Sequence, residues 1–260
     1  MLAGKTIVVS GAASGIGAAT ARVLKKQGAS VIGIDLNPVG NHIDRSIQAD
    51  LSDPRSIDQA VHEIGGGIDA LCNIAGLPPT ATREAVLKVN FLGLKYLTES
   101  LIDQFNDGAS IVNMASLAGS GWPQSVPAIK DFLAAANFEN VSEYCDRYQV
   151  EGARSYFFSK ELLVVWTMLN RWAWRERGIR MNCISPGPVD TPILPDFIKS
   201  LGERAEEDMR IMDRPGTPKD IAPVVAFLCS DESAWFRGAN LPADGGMYQH
   251  IMVGMHGLEN

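Results

Sequence analysis

A glycine-rich turn, Ser10-Gly11-Ala12-Ala13-Ser14-Gly15-Ile16-Gly17, links the apolar β-branched run Thr6–Val9 to a helical pattern over Ile16–Lys26. Glycines at a strand-to-helix turn permit unusual backbone angles and let the chain approach a pyrophosphate closely. The helix N-terminus then offers free N–H groups and a partial positive charge to phosphate oxygens. A plain βα turn needs no ligand. Here, however, the turn follows a buried strand, and Asp35 closes the next strand, Ser30–Asp35, 24 residues beyond Gly11. A carboxylate at that distance meets the hydroxyls of an adenosine ribose. It would repel a 2′-phosphate, and no Lys or Arg stands at positions 12, 13, 14, 36 or 37 to offset the repulsion. The turn therefore predicts a dinucleotide site that takes NAD(H).

The same alternation continues along the chain. Helical patterns over Asp53–Ile64, Thr82–Phe105, Tyr156–Arg175 and Pro218–Leu228 are interleaved with strand-like runs. Those runs are Ala70–Ile74, Ser110–Ala115, Ile179–Ile184 and Asn240–Pro242. Such a rhythm predicts an α/β fold, a Rossmann-type doubly wound parallel sheet with helices on both faces. With no repeat, low-complexity tract or linker, residues 1–260 read as a single domain. One stretch breaks the rhythm: residues 119–154 separate a strand from its helix and look helical themselves over Ile129–Ala136 and Val141–Tyr148.

Composition narrows the class. A net charge of −7 argues against a nucleic-acid or anionic-membrane surface. The strongest apolar run, Leu162–Leu169, falls far short of the roughly 18 residues that span a bilayer. The N-terminus runs directly into a strand with no signal-peptide core. Cys72, Cys145, Cys183 and Cys229 are scattered, and read as buried thiols of a cytoplasmic protein. His42, His62, His250 and His256 lack metal-ligand spacing, so no metal is expected.

Tyr156 and Lys160 stand one helical turn apart, so both emerge on one face. A phenol titrates near 10, too high for easy proton transfer at neutral pH. A neighbouring ammonium stabilises the phenolate and lowers that value. The spacing alone is common on helices. Its weight comes from the motifs around it.

Gly11-x-x-x-Gly15-x-Gly17 is the turn pattern of the short-chain dehydrogenase/reductase family. With it stand Asn73-Ile74-Ala75-Gly76, Asn90, Ser116, Tyr156/Lys160, Pro186-Gly187 and Asp244-Gly245-Gly246, in family order along nearly the whole chain. The chain departs from the pattern at Cys72 and Phe158, and in the 40 positions from Ser116 to Tyr156, a gap far longer than the family norm. A similar insertion occurs in the branch of bacterial 3α-hydroxysteroid dehydrogenase/carbonyl reductases, which includes coniferyl alcohol dehydrogenases. Leu71–Gly76, Gly121–Gln124, Val164–Thr167, Arg180–Cys183 and Phe227–Asp231 resemble the latter most.

The resemblance implies reversible hydride transfer between an alcohol carbon and nicotinamide. It makes Tyr156 the general base for oxidation, Ser116 the hydroxyl that holds the substrate oxygen, and Lys160 a ligand of the nicotinamide ribose. It gives Asn90 a helix kink and a water leading from Lys160 to solvent. Gly11, Ser14, Gly15, Ile16, Gly17, Asp35, Asp50, Leu51, Asn73, Ala75, Gly76, Pro186, Gly187, Val189 and Thr191 complete the implied NAD set, with Val189 and Thr191 on the carboxamide. It also implies a homo-oligomer, with a dimer favoured because the insertion obstructs one family interface.

Local alternatives stay open. Ser116 can cap a strand end, Asn90 can be a satisfied core amide, and Asp50 can cap a helix instead of touching adenine. Substrate selection falls to the insertion, residues 192–213 and the tail. Trp122, Tyr144, Tyr148 and Phe157 suit a flat phenylpropenol or simply pack the insertion; Met247, Met252 and Met255 fold over the site or fray. An aryl or allylic alcohol such as coniferyl alcohol is the expected substrate. A hydroxysteroid or other carbonyl compound is the alternative, and a non-catalytic NAD-binding scaffold a remote one.

Overall fold

A computed structural model of the chain describes residues 2–202 and 210–258. Its centre is a seven-stranded parallel sheet: β1 (Thr6–Ser10), β2 (Ser30–Asp35), β3 (Arg45–Gln48), β4 (Ile68–Asn73), β5 (Phe105–Met114), β6 (Arg180–Pro186) and β7 (Asn240–Ala243). The strand order is β3-β2-β1-β4-β5-β6-β7. The order in which strands are added reverses between β1 and β4, which opens a crevice at their carboxyl ends.

Alternation along the strands builds two cores. Val8, Ile34, Leu71 and Ile111 face one layer, with α2 (Pro54–Ile64), α3 (Arg83–Leu87), α4 (Leu94–Ser100) and α7 (Ala153–Leu169). Ile7, Val9, Val31 and Val112 face the other, against α1 (Gly15–Lys26) and α9 (Pro218–Cys229). Helices on both faces leave no wet side, so every residue of β6 is buried. Arg180 pairs with no carboxylate there; its guanidinium donates to the carbonyls of Leu228, Ser230 and Ser233 at the end of α9.

The insertion runs through a 3-10 segment, Leu117–Ser125, then α5 (Val126–Ala135) and α6 (Val141–Arg147). It is part of the core. Phe132 meets Phe91, Tyr144 and Phe158 edge-on, with ring centroids 6.0, 5.4 and 5.6 Å apart. Arg83 ties it to α3 through Glu84, Asp146 and Glu151.

Four features differ from the sequence expectation. β3 was hidden because only Ile47 of its four residues is buried, leaving no alternation to detect. The long helix expected over Thr82–Phe105 is broken by a π-helical turn, Lys88–Gly93, and yields at Phe105 to β5, whose pairing with β4 shifts register between Ile68 and Ala70. The helix expected to reach Arg175 stops at Leu169, where Leu169 and Trp172 leave the core and stand 59 % and 58 % exposed. The tail forms a helix, α10 (Met247–Met255), instead of fraying.

Candidate active site

A cavity of about 550 Å³ follows the carboxyl ends of the strands, from Asp35 and Asp50 past the glycine turn to Ser116, Tyr156 and Lys160. The turn is locked on the end of β4. Gly11 has φ +72°, and a Cβ there would lie 2.8 Å from the Ala75 backbone; one on Gly17 would lie 2.0 Å from the Gly11 carbonyl oxygen. Ser10 Oγ accepts the backbone N–H groups of Ile74 at 3.0 Å and Ala75 at 3.2 Å. Ser14 opens α1 with no side-chain cap, and no acidic residue lies in the first turn. Bare amides facing a cavity fit a pyrophosphate.

Asp35 ends β2 at the rim. Its carboxylate accepts the N–H of Ala13 and of Asn37, each at 2.9 Å, which fixes it beside the turn. Asp50 and Leu51 also line the cavity. Asp50 folds into a local turn, accepting the Ser52 N–H at 2.8 Å and hydroxyl at 2.7 Å. Capping of α2 belongs to Asp53, so the capping alternative for Asp50 is corrected. Ile16, Ala75, Gly76, Pro186, Gly187, Val189 and Thr191 line the same cavity, and Thr191 lies 3.4 Å from where a Gly15 Cβ would stand. These residues fit a dinucleotide.

Two expected site residues are elsewhere. Asn73 is fully buried, and its Nδ2 donates to Thr98 Oγ1 and Asn113 Oδ1, both at 2.9 Å. Asn113 passes the ladder on to Thr167 at 2.9 Å, so the Asn73 side chain ties β4 to β5 and two helices and does not line the cofactor cavity. Asn90 is also fully buried, inside the π turn. Its Oδ1 accepts the Leu77 N–H at 2.7 Å, and its Nδ2 donates to the Leu77 carbonyl at 3.1 Å and Ser159 Oγ at 3.3 Å. The side chain holds the Leu77 backbone across from the π turn, with its amide satisfied.

Ser116, Tyr156 and Lys160 do converge. Ser116 follows β5; its Oγ accepts the Ala118 N–H at 3.2 Å, and it lines the cavity together with Tyr156, so it both caps and reaches the cavity. Lys160 Nζ lies 5.4 Å from the Tyr156 ring centre and donates to the Met114 carbonyl at 2.7 Å. Burial pushes the phenol up to about 12, against a smaller lowering by Ser116. Burial likewise pulls the Lys160 ammonium down to about 8. The simple lowering of Tyr156 by Lys160 is therefore corrected: desolvation of the phenolate is the larger effect.

The far wall was only partly legible. Of the four expected aromatics only Phe157, on α7, lines the cavity; in the insertion, Tyr144 is buried in the core, and Trp122 and Tyr148 pack against it. The missed wall residues are Ile193, Leu194, Phe197 and Ile198, on or beside α8 (Leu194–Leu201), with Ile251 from α10. The Phe197 ring meets Tyr156 edge-on at 4.6 Å. Their signal was the i, i+3, i+4 apolar spacing inside the segment 192–213. Its residues 203–209 lie outside the described residues. In α10 the cavity contact is Ile251, not a methionine. Among the described residues no cluster of His, Cys, Asp or Glu is placed to hold a metal ion, and no helix is long and apolar enough to cross a membrane.

Comparison with known proteins agrees with this geometry. The family model described as short chain dehydrogenase matches residues 5–128, and one described as enoyl-(acyl carrier protein) reductase matches residues 132–248. The coniferyl-alcohol dehydrogenase of Pseudomonas sp. (strain HR199 / DSM 7063) is 44 % identical over 95 % of this chain and 97 % of its own length. The 3-alpha-hydroxysteroid dehydrogenase/carbonyl reductase of Comamonas testosteroni is 31 % identical over 93 % of this chain and 95 % of its own. In structure, the 3-alpha-hydroxysteroid dehydrogenase from Pseudomonas sp. B-0831, complexed with NADH, superposes with a TM-score of 0.83 at 28 % identity, covering 98 % of this chain and 100 % of that one. With its doubly wound sheet, its glycine turn and a relative this similar over nearly its full length, the chain belongs to the short-chain dehydrogenase/reductase family of oxidoreductases.

Proposed function

We propose that this chain is an NAD(H)-dependent dehydrogenase that interconverts an aryl or allylic alcohol of the coniferyl type with its aldehyde. The observation that carries the reading is the convergence of Ser116, Tyr156 and Lys160 in one cavity walled by Phe157, Phe197, Leu194 and Ile251. An apolar, aromatic wall favours a flat aryl substrate by burial and ring contact, and the 44 % identical relative bears the name of such an enzyme.

The bound nicotinamide supplies the hydride acceptor or donor. The chain's own residues do the rest. The glycine turn and the α1 amides hold the pyrophosphate, Asp35 the adenosine ribose, and Asp50 with Leu51 the adenine. Lys160 holds the second ribose, and Val189 and Thr191 the carboxamide. Ser116 fixes the substrate oxygen within reach of Tyr156, which takes the alcohol proton in oxidation and returns it in reduction. Asn90 and Asn73 serve this arrangement through the backbone and sheet they hold.

The test follows NADH and NADPH absorbance with coniferyl alcohol, cinnamyl alcohol and androsterone offered separately. Coniferyl alcohol with NAD is expected to give the highest kcat/KM. Turnover of the steroid alone would move the substrate to the hydroxysteroid class favoured by the 31 % identical relative. Preference for NADP would sink the reading of Asp35, and no turnover with any alcohol would leave a binding scaffold.

A homo-oligomer is part of this reading. Trp235 is 96 % exposed and Trp172 58 %, and both line one surface hollow with Arg175 and Arg237, a composition typical of interface hot spots. Trp235→Glu is expected to shift sedimentation toward a smaller species; unchanged assembly would remove this patch from the interface. The four buried free thiols support a reducing, cytoplasmic setting.

A further inference from the structure

We infer that Arg154 and Glu161 are positioning residues that hold the segment opened by Ser116 in place on α7, and so set Ser116 beside Tyr156 in the cavity. The inference rests on the proposed roles of Ser116 and Tyr156. Helix α7 carries Tyr156 and Lys160, and on it Arg154 and Glu161 stand two turns apart. Arg154 Nη1 donates to Glu161 Oε1 and Nη2 to Oε2, both at 2.7 Å. Glu161 is only 3 % exposed, and both of its carboxylate oxygens are taken by this partner. The same Nη2 donates to Ser125 Oγ at 2.9 Å, and the guanidinium lies 5.4 Å from the Phe158 ring centre.

Ser125 is where the 3-10 segment ends, and Ser116 is the residue that opens it. Between them the segment lies directly on α7. A Cβ on Gly119 would come within 2.8 Å of the Lys160 carbonyl oxygen, and one on Gly121 within 3.0 Å of Glu161 Oε1. The segment is thus held at three points: Gly119 on the Lys160 backbone, Gly121 on Glu161, and Ser125 on Arg154. Ser120 and Gly121 form cavity wall along the way. The ion pair fixes the far end, and so sets the tilt of the whole segment and the place of its first hydroxyl. A pair that only stabilised α7 would not reach across to Ser125.

The consequence is chemical. Burial raises the phenol's titration, and Ser116 is the neighbour that lowers it. Releasing the far end lets Ser116 drift, and Tyr156 then ionises at higher pH. Arg154→Met is expected to lower kcat for alcohol oxidation between about tenfold and a hundredfold, the cost of an ångström-scale misplacement. KM for NAD should stay within about twofold, because the glycine turn is remote from the pair. The rising limb of the oxidation pH profile should move to higher pH. Arg154→Lys, which keeps one donor, should recover part of the rate. Ser125→Ala leaves the ion pair intact and cuts only the link to the segment; it should still raise the limb. It also serves if Arg154→Met does not fold. Arg147→Met breaks an ion pair to Asp131 on the outer insertion, and should leave the limb in place.

An ultraviolet difference titration of Tyr156, each variant against its Tyr156→Phe counterpart, reads the phenol with no substrate present. If it rises in Arg154→Met and Ser125→Ala while no alcohol is turned over by the parent, the positioning role stands and the substrate reading fails. If melting falls in both variants while the phenol and the limb stay in place, the pair is structural only and the inference is overturned.

Discussion

Tyr156→Phe is expected to cut alcohol oxidation about a thousandfold, the middle of the range for losing a general acid–base group. The change removes a single oxygen from a ring that is 7 % exposed. The edge-on contact with Phe197 at 4.6 Å needs only the ring, so packing survives. Ser116 is half-buried on the cavity wall, where water can accept its hydroxyl, so no buried donor or acceptor is orphaned. Stability should therefore change by less than about 1 kcal/mol. Binding of NADH, read by fluorescence titration, should stay within about twofold, since the turn, Asp35 and Lys160 are untouched. The pH profile adds a second check. Burial holds the phenol near 12, so few molecules carry the phenolate at neutral pH, and the wild-type oxidation rate should climb with pH. Reduction uses the protonated phenol and should be flat over the same range. The variant's residual oxidation should lose that climb. Residual turnover above a tenth of wild type, with the climb intact, would take the proton-transfer role away from Tyr156.

What could be read from the chain before its structure follows a physical division. Features fixed by the backbone were legible. Gly11 and Gly17 announce themselves because a Cβ at either position collides with backbone. Asp35 follows from its place at the end of a buried strand, and the sheet from runs such as Thr6–Val9 whose residues must alternate between two cores. Features fixed by the direction of a side chain were not. Asn73 sits in a family motif beside the cavity, yet its amide points into the polar ladder with Asn113 and Thr98. Phe197 reaches Tyr156 only because α8 folds back over the strand ends, a contact 41 positions apart in sequence that no local pattern encodes. Most instructive is the Tyr156–Lys160 pair. Spacing placed the two groups on one face correctly, but not the depth at which they lie. Depth reverses the expected electrostatics. Each group is buried, each is pushed toward its neutral form, and proximity alone does not ready the phenol.

Lys160→Met tests that reversal through stability as well as activity. Turnover should be lost almost entirely, because the cation proposed to hold the nicotinamide ribose beside Tyr156 is gone. Folding should respond in the opposite sense. In the unfolded chain Lys160 keeps its ordinary value of 10.5, whereas burial holds it near 8 in the fold. Below pH 8 both states carry the proton, and the fold bears the whole cost of a buried ammonium, about 3 kcal/mol for a difference of this size. Between pH 8 and 10.5 the folded state has released the proton and the unfolded state has not, so the cost fades as pH rises. Against this stands one constant loss: the Met114 carbonyl gives up its 2.7 Å partner, at about 1–3 kcal/mol. The variant should therefore match or exceed wild-type stability at neutral pH and fall below it by pH 10.5. Its melting temperature relative to wild type should drop by roughly 5–10 °C across that window. Titration of Tyr156 is common to both proteins and cancels in the difference. A constant difference from pH 7 to 10.5 would mean that Lys160 titrates normally in the fold. A falling difference would mean that the site keeps a destabilising cation for its chemistry, the stability–activity trade-off expected of a working active site.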